Sequence, residues 1–389
     1  MRPDLILKTL EDAGFAACFV GGCVRDTLLG RPVHDWDVTT SALPEEIMAL
    51  FPRCIPTGIK HGTVTVLLNG ESFEVTTFRR DGAYHDGRHP DGVVFVPNLT
   101  EDLARRDFTI NAMAMHLDGR ITDCFDGEAD LKRGIIRCVG DPERRFREDA
   151  LRMLRALRFS AQLGFSIEEH TARAIRENAG LCRLLSRERV CAEGEKTLLS
   201  PLPQTLSVML REGLLSACGI AGDYDLQALR TVPAEPDVRW AMLKVLIPKL
   251  DMQQFRLPSR RVQLAETAAA AYRPSYTREA LKELIAASGE DAARVCAKLS
   301  AQEALLEEIL QSGECVSLRG LAVNGRDFPA LHGKAAGDML RRLLDYVLLH
   351  PEKNNRQTLL RLAEEWSGNS DADGHKDVGD VKCQQKDTL

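Results

Sequence analysis

The 389-residue chain contains few aromatic residues and no long apolar run. Phe, Trp and Tyr together make up 5% of the sequence, which disfavours an aromatic platform for stacking nucleic-acid bases. No segment supplies the roughly 20 apolar residues that a membrane span needs, so no membrane partner is expected. Charged residues interrupt any signal-peptide core near the amino terminus, and we expect a cytoplasmic location. These residues are Arg2, Asp4, Lys8, Glu11 and Asp12.

The eleven cysteines include no Cys-x-x-Cys pair, and no histidine cluster joins Cys18 and Cys23 at zinc-like spacing. We interpret them as reduced, mostly buried thiols. The net charge of −6 does not by itself indicate a nucleic-acid binder, although the segment 144–147 is locally basic. If RNA binds, contacts to phosphates and recognition of shape should therefore dominate.

A glycine pair follows a short apolar stretch near the amino terminus. Phe19 and Val20 predict the end of a buried strand, and Gly21 and Gly22 predict a tight turn that approaches a ligand closely. The helix expected after this turn contains Arg25, and its first N–H groups can hold phosphate oxygens. The pattern therefore indicates a triphosphate site.

Three carboxylates are candidates for metal binding. Asp35 and Asp37 are two residues apart, so on a strand both side chains would leave from one face. Two such carboxylates beside a phosphate site can bind a pair of divalent ions, which is the arrangement used in nucleotidyl transfer. A β-hairpin is predicted over 63–78 through an Asn-Gly turn, and it carries Glu74. Glu74 is either a third carboxylate of the site or an ordinary cross-strand pairing residue.

The segment 102–114 alternates charged and apolar residues before it becomes small and apolar. Arg106, Asp107 and Asn111 supply donors and acceptors that could bind a ribose hydroxyl and balance triphosphate charge. The alternative is a capped helix start with a local ion pair.

Asp149 and Arg152 are three residues apart, so on a helix they would share a face, with Arg155 one turn beyond. A carboxylate and a guanidinium side by side complement the amino group and ring nitrogen of cytosine, and equally those of adenine. Uracil and guanine present the opposite pattern, so both contacts would fail. The alternative is a solvated ion pair of small energy.

These motifs, in this order, resemble the class II tRNA nucleotidyltransferases of the polymerase β superfamily, which comprise CCA-adding enzymes and bacterial poly(A) polymerases. The resemblance runs from about residue 15 to about residue 366. It implies an α/β head, which is a polymerase β-like nucleotidyltransferase with a small mixed sheet and helices. An elongated all-α neck, body and tail would follow.

The resemblance also implies a role for each candidate residue. Asp35 and Asp37 would bind Mg²⁺, or Mn²⁺ in its place, with Glu74 as a further catalytic carboxylate. The triphosphate would be held by Gly21, Gly22 and Arg25. The ribose would be held by Arg106, Asp107 and Asn111. The base would be selected by Asp149, Arg152, Arg155 and Arg158.

Helical patterns dominate from about residue 144 onward. The segment 79–91 resembles the flexible loop that the family needs to switch from adding C to adding A. The segment 186–196 resembles a family motif that supports the nucleotide site. The expected organisation is a catalytic head (1–140), a base-recognition neck (141–199), a body (200–312), an RNA-binding tail (313–366) and a disordered end (367–389).

The pattern predicts that the chain adds C, C and A to the 3′ end of tRNA from CTP and ATP. The reaction would use no nucleic-acid template, and therefore no DNA template. Segment 57–66 resembles the CCA-adding branch more than the poly(A) polymerase branch. A poly(A) polymerase, an A-adding specialist and a non-catalytic RNA-binding protein remain as alternatives. The chain could act as a monomer or as a homodimer.

Overall fold

The structure, a computed structural model, describes residues 2–82 and 92–370. It divides into two compact units, Met1–Val262 and Gln263–Leu389. The division falls inside the segment that we expected to form the body, while the expected boundaries at residues 140, 199 and 312 stay predictions. Within the described ranges, every helix is too short or too polar to pass through a membrane.

A seven-stranded mixed sheet forms the centre of the amino-terminal part, with the strand order β3-β4-β5-β2-β1-β8-β9. Its β2–β5 pair is parallel, and the other neighbouring pairs are antiparallel. Two further pairs, β6–β7 and β10–β11, lie outside this sheet. The strands are β1 (Ala17–Val20), β2 (Asp37–Thr40), β3 (Cys54–Gly58), β4 (Thr63–Leu68), β5 (Glu71–Thr77), β6 (Arg79–Asp81), β7 (Val93–Phe95), β8 (Met113–Met115), β9 (Ile121–Asp123), β10 (Ile135–Ile136) and β11 (Ser166–Ile167).

The predicted hairpin is present as β4 and β5. Val64 and Val66 are buried on one face of β4, as expected for a β-branched strand with one side on the core. Asn69 and Gly70 both have positive φ, which a two-residue hairpin turn requires. This turn sets the register of β4 against β5, and the parallel pairing of β5 with β2 places Glu74 beside Asp37.

Helices cover the sheet and continue beyond it. The break between α6 and α7 is the feature that matters most for the site, because Asp149 lies in it with extended backbone angles. The helices that begin in the first unit are α1 (Asp4–Asp12), α2 (Gly22–Leu28), α3 (Pro44–Leu50), α4 (Leu99–Ala104), α5 (Gly127–Arg133), α6 (Pro142–Glu148), α7 (Leu151–Leu163), α8 (Glu169–Asn178), α9 (Arg187–Leu198), α10 (Leu206–Arg211), α11 (Pro236–Leu246) and α12 (Ser259–Ala271).

The second unit is helical and has its own core, which includes Phe328, Leu343, Val347 and Leu359. Its further helices are α13 (Arg278–Ser288), α14 (Glu290–Leu299), α15 (Glu303–Gln311), α16 (Lys334–Leu349) and α17 (Arg356–Ser370).

The predicted disordered end and the predicted flexible loop both extend beyond the described residues. Helix α17 continues to Ser370, so the expectation of disorder from residue 367 is wrong for its first four residues. Residues 371–389 lie outside the described residues, as do residues 83–91 of the expected flexible loop. The cysteines of the described residues are free thiols, as predicted.

The packing of α5 gives a test of the fold. Gly127 begins α5, and a Cβ there would overlap the carbonyl oxygen of Thr109 and lie 2.8 Å from Cγ of Met113. We expect Gly127→Ala to lower the free energy of unfolding by about 1–3 kcal/mol through overpacking. A Cβ at Gly180 would meet nothing within 4 Å, so Gly180→Ala is the matched control. Equal stability of the two variants in urea denaturation would contradict this account.

Candidate active site

Two carboxylates lie side by side where β2 begins. Asp37 is the first residue of β2, and Glu74 of β5 is its register partner. Asp35 precedes the strand, so it lies outside the element that the alternating pattern predicted. Trp36, which lies between Asp35 and Asp37 in the sequence, packs edge-on against Phe19 of β1 with ring centres 4.6 Å apart. This contact fixes the chain between the two aspartates.

The electrostatics of this group favour a bound cation. Burial raises the pKa of Asp37 above its ordinary value, Arg106 lowers it, and the charges of Glu74 and Asp35 raise it further. A cation placed among these carboxylates would offset both the free-energy cost of burying their charge and their mutual repulsion.

The glycine turn allows a guanidinium to reach the carboxylates. Gly21 has a φ of 78°, and a Cβ there would lie 3.1 Å from Nη1 of Arg106 and 3.5 Å from Oδ2 of Asp37. A side chain at this position would therefore be strained and would also crowd both groups. A Cβ at Gly22 would lie 3.6 Å from Nη2 of Arg25.

The guanidinium of Arg106 is held by the buried carboxylate of Asp102. Its Nη2 donates to Oδ2 of Asp102 at 3.4 Å, and Asp102 also accepts from Thr39 Oγ1 at 3.2 Å and Arg105 Nε at 2.9 Å. Although burial alone would raise the pKa of Asp102, Arg105 and Arg106 hold it below its ordinary value. The buried Nε of Arg106 has no hydrogen-bond partner in the described part of the chain, so it can serve a ligand.

Asp107 lies at the centre of a second buried network. Its Oδ1 accepts from Asn111 Nδ2 at 3.1 Å, and its Oδ2 accepts from Arg155 Nε at 2.7 Å. Burial alone would raise the pKa of Asp107, but Arg155 and Asn111 outweigh it and lower the pKa to about 2. The carboxylate is therefore ionised and oriented by both neighbours.

Arg25 belongs to the same network. Its Nε and Nη2 donate to the carboxylate of Asp26 at 3.0 and 2.9 Å, and its Nη1 donates to Oδ1 of Asn111 at 2.9 Å. Only 10% of the Arg25 side chain is exposed, so its pair with Asp26 is not an ordinary surface ion pair. The structure thus connects Arg25 to the residues predicted for the ribose.

The ring of Phe159 on α7 joins three arginines. The guanidinium carbons of Arg25, Arg155 and Arg158 lie 5.1, 5.2 and 4.0 Å from the ring centre. The negative face of an aromatic ring attracts cations at such distances. No sequence pattern indicated this role, because an aromatic residue at this spacing in a helix is ordinarily part of the core.

The expectation that Asp149 and Arg152 lie on one helix and share a face is wrong. Asp149 precedes α7 with φ −148° and ψ 106°, and its Oδ1 accepts from the backbone N–H of Leu151 at 3.0 Å. Its Oδ2 accepts from Arg189 of α9 at 2.8 Å. An aspartate that binds its own following backbone competes with helix formation, which explains the break.

Arg152 is held by other groups. Its Nη1 donates to Glu148 Oε2 at 2.9 Å and to the carbonyl of Arg145 at 3.2 Å, and its Nη2 reaches the carbonyl of Arg105 at 3.4 Å. Arg145 donates to the carbonyls of Arg105 and Arg106. These contacts connect the α6–α7 break to the segment that carries Arg106.

Helix α9 contacts one acidic residue in the α6–α7 break and one basic residue on α7. Arg189 donates to Asp149, and Glu193 accepts from Nε of Arg158 at 2.5 Å. Both residues lie in segment 186–196, whose pattern predicted a supporting role. Glu148 and Asp102 were not singled out as site residues, although Asp102 begins the segment 102–114 and Glu148 directly precedes Asp149.

The donors present are suited to a hard divalent cation. Carboxylate oxygens from Asp35, Asp37 and Glu74 are the ligand type that Mg²⁺ prefers, with waters and phosphates completing its shell. Within residues 2–82 and 92–370, no group of three His, Cys, Asp or Glu side chains is arranged to hold a metal by itself. A metal here would accordingly need oxygens from the substrate, as is usual for Mg²⁺ with phosphates.

The chain matches two known family models. A model described as the Poly A polymerase head domain matches residues 17–137. Another, described as the probable RNA and SrmB-binding site of polymerase A, matches residues 164–217. The first contains the three carboxylates together with Arg25, Arg106 and Asp107, and the second contains α9.

Similar proteins and structures cover most of the chain. The CCA-adding enzyme of Limosilactobacillus fermentum is 42% identical over 390 residues, which cover 92% of this chain and 95% of that protein. That of Lactobacillus helveticus is 61% identical over 258 residues, but the match spans only 65% of its length and 64% of this chain. The crystal structure of the Bacillus stearothermophilus CCA-adding enzyme in complex with CTP superposes with a TM-score of 0.82 at 35% identity, covering 96% of this chain and 100% of that one.

The ionisation of Asp107 predicts a pH dependence. Because its folded-state pKa is about 2 against an ordinary 3.8, its contribution to stability is present above about pH 4 and is lost as the pH falls toward 2. We expect Asp107→Asn to lower the free energy of unfolding at pH 7 by about 2–4 kcal/mol, since Arg155 loses its partner. The difference in the free energy of unfolding between Asp107→Asn and the unmodified protein should shrink by about 1–2 kcal/mol between pH 6 and pH 3.

Urea denaturation over that pH range measures the difference. Asp118→Asn is the matched control, because the Asp118 side chain is 66% exposed. A penalty for Asp107→Asn that stays constant with pH would contradict the assignment.

Proposed function

The chain belongs to the family of CCA-adding enzymes, and we propose that it adds C, C and A to the 3′ end of tRNA, using CTP and ATP without a template and releasing pyrophosphate. The observation that carries this proposal is the convergence of Asp37 and Arg106 at Gly21, with Glu74 in register beside Asp37. The full-length similarity to the Limosilactobacillus fermentum enzyme supports the same activity.

Asp35 and Asp37 would hold Mg²⁺, with Mn²⁺ as the second choice, and Glu74 would lie beside Asp37 as a further carboxylate. The ion would lower the pKa of the primer 3′-hydroxyl and neutralise charge on the α-phosphate. The raised pKa of Asp37 supports this assignment, because burial, and then the charges of Glu74 and Asp35, disfavour its ionised form without a cation.

Arg106 would bind the triphosphate, since its Nε is free to donate and its Nη1 lies against Gly21 and Asp37. Gly21 and Gly22 would leave room for phosphate oxygens. Arg25 would act mainly through Asn111, because Asp26 and Asn111 already accept from its three nitrogens.

Asp107 and Asn111 would bind the ribose. Arg155 holds Asp107 ionised, so the carboxylate can accept from a ribose hydroxyl. Arg155 and Arg158 would therefore position the site rather than touch the base, which revises the role that the resemblance implied for them.

Asp149 and Arg152 would select the base. Each Asp149 oxygen accepts one hydrogen bond here and keeps a lone pair for an exocyclic amine. Arg152 keeps its Nε–H and one Nη2–H for a ring nitrogen. Cytosine and adenine would satisfy both groups, whereas uracil and guanine would leave both unpaired.

A poly(A) polymerase is the second candidate. The match of residues 17–137 to the Poly A polymerase head domain favours it, because the two activities share this chemistry. A specialist that adds only the terminal A belongs to the same group.

Incorporation of each NTP, alone and in mixture, on tRNAs lacking CCA, CA or only A tests the proposal. We expect C, C and A to be added in order and addition to stop there. Long A tails on any RNA would instead establish a poly(A) polymerase. A alone on the tRNA lacking A would establish the specialist.

An inactive variant controls this assay. Asp37→Asn should abolish incorporation while the thermal melt persists, and the exposed Asp118→Asn should retain it. Full incorporation by Asp37→Asn would remove the basis of the metal assignment.

Arg152 gives a separate prediction about base choice. We expect Arg152→Ala to lower the preference for CTP over UTP, and for ATP over GTP, at least about tenfold, because one discriminating contact is lost. Binding of tRNA should change less. Competition between paired NTPs measures the preference, and filter binding measures the affinity for tRNA.

Arg173→Ala is the matched control for Arg152→Ala. Arg173 lies on α8 with 56% of its side chain exposed and pairs only with Glu169 among the contacts described. An unchanged preference in Arg152→Ala, or an equal change in both variants, would contradict the role of Arg152.

A further inference from the structure

Two buried cysteines lie in contact behind the candidate active site. Sγ of Cys191 on α9 is 3.5 Å from Sγ of Cys218, which lies in the short 3₁₀ turn Ser216–Cys218. The two residues are 7% and 2% exposed, respectively. Neither forms part of the nucleotide site described above.

The turn that carries Cys218 is joined to α9 by a second contact. Nε of Arg187 donates to the carbonyl of Ala217 at 3.1 Å. The turn is a single 3₁₀ unit that ends at Gly219 with positive φ, and Oγ of Ser216 has no hydrogen-bond partner among the described residues. Such short turns open at low cost compared with core helices, which would admit a small oxidant.

We propose that Cys191 and Cys218 form a reversible modification site, at which a hydroperoxide oxidises the two thiols to a disulfide that displaces α9. The effect of this displacement on nucleotide addition rests on the function proposed above.

The reaction consumes one hydroperoxide. The sulfur of Cys218 attacks a peroxide oxygen, the O–O bond breaks, and a sulfenic acid and water form when hydrogen peroxide is used. The sulfur of Cys191 then attacks the sulfenic sulfur, the S–S bond forms, and the hydroxyl group leaves as a second water. Two electrons pass from the sulfur pair to the peroxide, and both thiol protons end in water.

The contact between the sulfurs favours this order of attack. The hydrogen bond with Cys191 lowers the pKa of Cys218, and the nearby Arg187 lowers it further. The thiolate is the nucleophile in such reactions, so Cys218 would react first.

Formation of the disulfide would move α9, which supports the nucleotide site. A disulfide needs a sulfur separation of about 2.05 Å, so the two atoms must approach by roughly 1.5 Å. Arg189 and Glu193 lie two residues on either side of Cys191, and they hold Asp149 and Arg158 at 2.8 and 2.5 Å. A shift of α9 would therefore disturb both contacts.

The test uses the reduced full chain, treated with equimolar hydrogen peroxide and then desalted. Peptide mass spectrometry should find the peptides of Cys191 and Cys218 linked, with the loss of two hydrogens. Incorporation of CTP on tRNA lacking CCA should fall by about tenfold or more, since displacements near 1 Å can cost this much. Dithiothreitol should restore it.

Three variants separate this site from the other thiols. Cys191→Ala and Cys218→Ala should keep their activity after peroxide treatment, provided that circular dichroism melts show them folded. Cys296→Ala is the matched control, because Cys296 is also buried but its Sγ donates to the carbonyl of Ala268. It should respond to peroxide like the unmodified chain.

The outcomes are decisive in both directions. Absence of the linked peptide would overturn the proposal. So would a loss of activity in peroxide-treated Cys191→Ala and Cys218→Ala equal to that of the unmodified chain, or a linked peptide with unchanged incorporation. If the reduced chain incorporates no nucleotide, the proposed function fails, whereas the linked peptide still tests the thiol pair.

Discussion

The buried carboxylate of Asp107 is the interaction on which the rest of the nucleotide site depends. It accepts from Arg155 of α7 and from Asn111, and Asn111 in turn accepts from Arg25 of α2. Three segments far apart in the sequence are thus tied to one charge. Buried ion pairs of this kind contribute little net stability compared with apolar packing, but losing one partner is costly. Their benefit here is a fixed geometry around the place where a ribose would lie.

The site is built from arginines that are already neutralised. Arg25, Arg155 and Arg158 share the ring of Phe159, and each also has a carboxylate partner: Asp26, Asp107 and Glu193. Arg106 differs, because it shares its carboxylate partner Asp102 with Arg105 and its Nε has no hydrogen-bond partner in the described ranges. Positive charge is therefore available mainly beside Asp37, where a triphosphate would bring negative charge. Preorganised groups of this kind need little rearrangement when a ligand arrives.

The sequence predicted the local elements well and the long-range contacts poorly. The hairpin and its Asn69-Gly70 turn follow from short-range patterns, and they place Glu74 correctly on a strand of the central sheet. The contact between Arg25 and Asn111 joins residues 86 positions apart, which no local pattern encodes. Asp149 was wrongly placed on a helix, because helical spacing says nothing about a side chain that binds the following N–H.

The β-hairpin has a consequence that reaches beyond its own stability. Side chains alternate between faces with a period of two residues, so a slip of one residue turns every side chain of a strand over. Glu74 lies beside Asp37 only in the present register of β5 against β2, so a slip of β5 by one residue would turn Glu74 to the other face of the sheet. The pairing of β5 with β4 holds β5 from its other side, and its six register pairs run through Glu74 itself. Insertions and deletions within β4 or β5 should consequently be rarer during evolution than the exposure of Glu74 alone would suggest.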